Sequence, residues 1–118
     1  MKHTLQIKKA LGIENVYSET SVWRSKKQNG ERGAQIDLLI DRQDQCINIC
    51  EMKFSVNKFD VTKGYAKELE SKLTIFRDNT KTRKTLFLTM VTTHGIRNSK
   101  SNTGLIQNEV TMDALFSN

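Results

Sequence analysis

The stretch QIDLLIDRQDQCINICEMKFS, Gln35 to Ser55, decides how this 118-residue chain folds. Two runs of strand composition, Ala34 to Arg42 and Cys46 to Lys53, flank the polar triplet Gln43, Asp44 and Gln45. That pattern predicts an antiparallel hairpin with a three-residue loop. A hairpin turning about Asp44 sets Asp37 opposite Glu51, Leu39 opposite Ile49 and Asp41 opposite Ile47. Directly opposed residues have Cβ atoms about 4.5–5.5 Å apart, and like charges at that separation destabilise a sheet. A register shifted by one residue would separate the two acids. Asp41 falls near the turn and needs no role beyond solubility.

Lys53 follows Glu51 by two residues, so the pleat puts both side chains on one face, about 7 Å apart along the backbone. Two carboxylates with a neighbouring backbone carbonyl suit a hard cation such as Mg²⁺, which keeps its other positions for water and substrate phosphate. A lysine alongside can neutralise a scissile phosphate or position the attacking water. The plainer alternative is a Glu51–Lys53 ion pair at a strand end with Asp37 on a solvated edge, an arrangement worth about 0–1 kcal/mol.

Outward from the hairpin, the chain reads as one continuous α/β domain. Thr4 to Leu11 has helical composition, and Gly12 stands where a left-handed cap would end it. Glu14 to Ser25 alternates Val16, Ser18, Thr20 and Val22 against Tyr17, Glu19, Ser21 and Trp23, the period of a strand. Asp60 is the predicted N-cap of an amphipathic helix of about four turns whose stripe is Tyr65, Leu69, Leu73 and Phe76. Lys84 to Thr93 has the near-continuous apolar character of a strand covered on both faces. Strand, helix and buried strand make a βαβ unit, so the strands of Glu51 and Leu88 are expected to run parallel. A polar, basic loop from His94 to Gly104 leads to a short strand near Glu109 to Thr111 and a turn of helix at Asp113 to Phe116. The element order is helix, three-strand meander, helix, strand and a small ending around a mixed sheet.

Composition narrows the partners. The hydrophobic share is 36% and the charged share 27%, the balance of a globular protein. No apolar run approaches the roughly 20 residues of a membrane-spanning helix. The N-terminus lacks the apolar core of a secretory signal, which makes the cytoplasm the expected location. Nineteen Lys and Arg against 13 Asp and Glu give a net charge of +6, which favours an anionic partner. No helix pairs a cationic face with a bulky apolar one, so nucleic acid is preferred over a membrane surface. Cys46 and Cys50 lie about 13 Å apart along one strand, too far for a disulfide, and are expected to be plain thiols.

The sequences AQID, Ala34 to Asp37, and ICEMK, Ile49 to Lys53, joined by a short hairpin, resemble the core motif of the PD-(D/E)XK nuclease superfamily. Ile36-Asp37 stands here in place of Pro-Asp. The longer segments WRSKKQNGERGAQIDLLIDRQDQCINICEMKFS and TKTRKTLFLTMVTTHGI resemble the C-terminal domain that follows the P-loop ATPase part in a group of bacterial predicted ATPases. The likeness runs from about Leu5 to Phe116. It implies a restriction-endonuclease-like αβββαβ core, in agreement with the element order read from the residues. It also implies that Asp37, Glu51 and the Met52 carbonyl hold Mg²⁺ or Mn²⁺, that Lys53 is the catalytic lysine, and that a metal-activated water hydrolyses DNA. Many members carry a further Glu on the first helix; here Gln6 is the nearest polar residue, with Glu19 on the first strand as the other candidate. Lys63, at the start of the long helix, is a candidate phosphate contact by the same likeness.

No Gly-x-x-x-x-Gly-Lys-Ser/Thr sequence occurs, so an ATPase function would have to come from a partner module, with the chain as a fragment or stand-alone relative. A homodimer is expected if both DNA strands are cut. The basic residues Arg24, Lys26, Lys27 and Arg32 in one loop region, and Arg97 and Lys100 in another, are candidate phosphate contacts, although ordinary exposed charge explains each of them singly. Trp23 is expected in the core. His3 and His94 lack partners that would make them bases. The alternative function is a nuclease-fold module that binds DNA, or a partner ATPase, without cutting.

Overall fold

A computed structural model describes residues 3–25, 33–97 and 104–111. Among these, two helices and seven strands follow the order α1 (Thr4–Ala10), β1 (Ser18–Arg24), β2 (Gln35–Arg42), β3 (Cys46–Lys53), β4 (Phe59–Asp60), α2 (Lys63–Thr80), β5 (Thr85–Thr92), β6 (Ile96–Arg97) and β7 (Asn108–Thr111). Five strands form a mixed sheet in the order β1-β2-β3-β5-β7, and the two-residue strands β4 and β6 pair separately. The predicted helical turn at Asp113 to Phe116 lies outside the described residues.

The hairpin register is the predicted one over the middle of the strands: Leu39 pairs with Ile49 and Asp41 with Ile47. Gln45 takes the left-handed conformation that closes the three-residue loop, with φ 68°. Arg42 clasps Asp44 through two hydrogen bonds of 2.9 and 2.6 Å. Asp41 is more than a solubility residue, because Lys84 Nζ bonds its Oδ1 at 2.6 Å and the Arg42 carbonyl at 2.9 Å. That lysine ties the turn end of β2 to the start of β5.

Strands β3 and β5 run parallel from Cys46↔Thr85 to Lys53↔Thr92, as the βαβ reading requires, and β7 adds parallel to β5. The helices cover opposite faces. Ile7 of α1 and Ile13 pack with Leu38, Ile40, Cys50, Val91 and Val110. Leu69 and Phe76 of α2 pack with Ile36, Leu39, Ile47, Ile49, Leu88 and Met90. Each such side chain contributes about 1.5–3 kcal/mol when fully buried. Trp23 joins the second cluster edge-on to Phe76, 5.0 Å between ring centroids, so it is a core residue.

The helix ends follow local chemistry. Gly12, at φ 73°, lets its own N–H reach the Lys9 carbonyl and that of Ile13 reach Lys8, which closes α1 one residue earlier than predicted. The N-cap of α2 is Thr62 rather than Asp60, since the Thr62 hydroxyl accepts from the Tyr65 N–H at 3.1 Å. Asp60 is drawn instead into β4, opposite Arg97. The first strand is also shorter than predicted. Glu14 to Tyr17 lie outside it, Tyr17 and Val22 are exposed, and β1 is an edge with one neighbour.

Candidate active site

Beyond Leu38↔Cys50 the two arms of the hairpin part company. β2 continues to Gln35 paired only with β1, and β3 continues to Lys53 paired only with β5. The β1–β2 register changes between Ser21↔Leu39 and Trp23↔Ile36, so Asp37 and Leu38 together face Val22. This is a β-bulge on β2 at Asp37, and its effect shows in the packing. Ile36 and Leu39 lie in the α2 cluster whereas Leu38 lies in the α1 cluster, a switch that strict alternation from Ile36 would not give. The bulge frees Asp37 from ladder pairing with Glu51. Its Oδ2 accepts the Met52 N–H at 3.1 Å, which ties the diverging strands together by a side chain.

Glu51 is 1% exposed, a rare setting for a carboxylate. Its Oε1 accepts a hydrogen bond from Lys72 Nζ of α2, which is also the ion pair of the site. Its Oε2 is buried and has no hydrogen-bond partner in the structure. Burial raises the Glu51 pKa above the ordinary 4.5; Lys72 opposes this and the nearby Asp37 adds to it. The net direction is upward, so desolvation outweighs the lysine.

Lys53 does not bond either acid. Its ammonium lies 5.3 Å from the centre of the Tyr65 ring, a cation–π contact. Tyr65 belongs to the α2 stripe and packs edge-on to Phe59 at 5.1 Å. Its hydroxyl is buried without a hydrogen-bond partner. Burial first, then Glu51 and Asp37, push its pKa upward. The Asp37 carboxylate therefore makes itself felt at Glu51 and Tyr65 alike. Cys50, beneath the same acids, is pushed up to about 12 by burial and by Glu51 and Asp37, and behaves as an inert apolar group. Cys46 is free as well.

The site stands where β3 and β5 end, at the opening between diverging strands where α/β sheets commonly bind ligands. Arg24 belongs to this end, since it pairs with Gln35, and its side chain is exposed. Lys63 is exposed at the first turn of α2, two residues before Tyr65. Arg97 is exposed on β6. Glu19 is not part of the group: it pairs with Asp41 at the other end of β2. Gln6 lies on α1, whose core contacts are on the sheet face opposite α2. Lys26, Lys27, Arg32 and Lys100 lie outside the described residues.

Among the described residues, no three His, Cys, Asp or Glu side chains gather as a ready-made metal cage. Asp37 and Glu51 are two carboxylates, which fits Mg²⁺ or Mn²⁺ held largely through water and substrate, and does not fit Zn²⁺ or an all-protein Ca²⁺ site. The orphaned Glu51 Oε2 is a donor atom of the right type. The Met52 contact seen here runs through its N–H.

The chain matches no protein-family model, no curated protein and no solved structure.

Sequence reasoning passed over Lys72. The signal was present: Lys72 stands three residues after Leu69 and four before Phe76, on the apolar face of α2. A lysine on a buried helical face needs an acid across from it, and Glu51 is that acid.

Proposed function

We propose that this domain is a divalent-metal-dependent DNA endonuclease of the PD-(D/E)XK type, with Asp37 and Glu51 as ligands of Mg²⁺ or Mn²⁺ and Lys53 as the catalytic lysine. The observation that carries the reading is Glu51: a carboxylate 1% exposed, with one oxygen unpartnered, at the end of a strand that diverges beside Asp37. A fold stabilised only by packing has no use for that group, because a buried carboxylate oxygen without a partner is costly. A bound cation converts the cost into affinity. The αβββαβ order of α1, β1, β2, β3, α2 and β5, and the motif Ile49 to Lys53, support the restriction-endonuclease-like assignment.

The metal would supply a nucleophilic water of lowered pKa and offset charge on the phosphate. Asp37 is held by the Met52 N–H, which orients one of its oxygens and leaves the other for a ligand. The ammonium of the half-buried Lys53 lies over the Tyr65 ring, where a phosphodiester entering the site would meet a positive charge. Arg24, Lys63 and Arg97 extend that charge for positioning the backbone without reading sequence.

A second reading, a nuclease-fold module that binds DNA or a partner ATPase without cutting, is favoured by one observation: Glu51 is already neutralised by Lys72. Cleavage of supercoiled plasmid with Mg²⁺ or Mn²⁺ separates the two. The nuclease nicks or linearises DNA and Asp37→Ala abolishes it; the binding module retards DNA in a gel, more weakly as salt rises, without cleavage.

A further inference from the structure

Lys72 and Glu51 are 21 positions apart in the chain, and the lysine approaches the acid from α2. Its side chain is 28% exposed, so Lys72 holds the buried Glu51 while remaining partly open to solvent. Lys72 also lines a groove of about 300 Å³, together with Gln35, Glu68, Ser71 and Ile75. Glu68 precedes Lys72 by four residues on the same helix, the spacing and order at which a glutamate and a lysine pair best. The lysine thus has two carboxylates within the reach of one flexible side chain, one buried and one exposed.

We propose that Lys72 is a tethered cation that holds Glu51 while the site lacks metal and transfers to Glu68 in the groove when a divalent ion takes its place. The inference rests on the metal-binding reading of Asp37 and Glu51. Two cations cannot share one buried carboxylate without strong repulsion, because charges a few ångström apart interact strongly where water is excluded. An ion entering beside Glu51 must therefore displace the ammonium or pair only with Oε2 against its field. Rotation of the lysine about its own side-chain bonds answers the conflict without moving the backbone, and the groove provides both the space and a second acid. Lys72 is a positioning residue: it holds the Glu51 carboxylate in place before loading and competes with the metal for it, which sets the metal affinity.

Calorimetric titration of Mn²⁺ into wild type, Lys72→Met, Glu68→Gln and the double variant tests the proposal. Lys72→Met is expected to bind Mn²⁺ at least ten-fold more tightly than wild type. Glu68→Gln is expected to bind several-fold more weakly in the wild-type background, and to change nothing once Lys72 is replaced, because its effect acts through the lysine. Equal or weaker binding by Lys72→Met overturns the proposal, as does a Glu68→Gln effect of equal size in both backgrounds, which would be a general field effect. If neither wild type nor Lys72→Met binds Mn²⁺, the metal-binding reading falls together with this one; binding in wild type that Asp37→Ala abolishes keeps that reading even where the lysine tests fail. Should Lys72→Met lose its native circular dichroism, the Lys72 ε-methylene NMR signal of the wild type decides. A shift on saturation with Mg²⁺ that Glu68→Gln reduces upholds the transfer, and an unmoved signal overturns it.

Discussion

Glu51 concentrates the chemistry of the molecule in one side chain. Its carboxylate is buried, bonded to Lys72 through Oε1 and unpartnered at Oε2. Removing Lys72 leaves a buried charge uncompensated, a change that costs about 3–5 kcal/mol in fully buried pairs. Lys72 is partly exposed, so Lys72→Met is expected to lose about 2–3 kcal/mol in urea unfolding at pH 8 without metal, the reduction reflecting solvent screening. The pH dependence has a definite sign. Burial raises the folded pKa of Glu51 above 4.5, so the native state holds its proton more tightly than the unfolded chain does. Stability contributed by this proton is present below the unfolded pKa and lost as pH rises through the folded one. Relative to Glu51→Gln, the wild type is therefore expected to be more stable at pH 5 than at pH 8, and added Mg²⁺ should restore stability at the higher pH. Paired unfolding curves of the two proteins at both pH values check this. A wild type that gains stability relative to Glu51→Gln between pH 5 and pH 8 would contradict it.

The elements follow from local signals more closely than the site does. The loop Gln43–Asp44–Gln45 and the strand patterning around it fixed the pairing of Leu39 with Ile49, and the structure has that pairing. The bulge at Asp37 was not legible, because it depends on how β1 meets β2, and the sequence of β2 alone carries an uninterrupted strand pattern. Asp60 and Thr62 are both good N-cap residues; Thr62 prevails because Val61 is buried and Asp60 is held beside Arg97 in β4. Lys72 was hidden for a similar reason, since an acid on β3 becomes its neighbour only after α2 is laid on the sheet. At the other end of α2, Lys81 takes φ 57°, a left-handed conformation that glycine adopts without strain. Lys81→Gly is expected to raise stability by about 0.5–1 kcal/mol in urea unfolding. Across the sheet, Asn48 is 1% exposed and joins Arg42, Thr89 and Asn108 in one hydrogen-bonded chain. Asn48→Ala removes the bonds by which Arg42, Thr89 and Asn108 meet in the sheet, and is expected to cost about 1–3 kcal/mol by the same measurement.

At the scale of the whole molecule, two helices cover opposite faces of a mixed sheet, and the sheet opens where β2 and β3 diverge. No helix among the described residues is long and apolar enough to cross a membrane. The net charge of +6 supports attraction to polyanions, and Arg24, Lys63 and Arg97 place part of it at the open end of the sheet or on elements beside it. If those side chains contact phosphates, duplex DNA binding falls steeply with salt, and Arg24→Ala flattens the slope of log affinity against log salt by about one. A slope unchanged in Arg24→Ala would remove that residue from the interface.

In the proposed reading, Asp37 and Glu51 hold the divalent cation through which DNA is cut. Supercoiled plasmid incubated with wild type, Asp37→Ala and Glu51→Gln, with Mn²⁺ and with EDTA, tests it most directly. Nicked or linear product is expected from the wild type with Mn²⁺ alone, and at least a hundred-fold slower conversion by either variant. Cleavage that survives EDTA or both substitutions, or no cleavage by the wild type with Mn²⁺ or Mg²⁺, would contradict it.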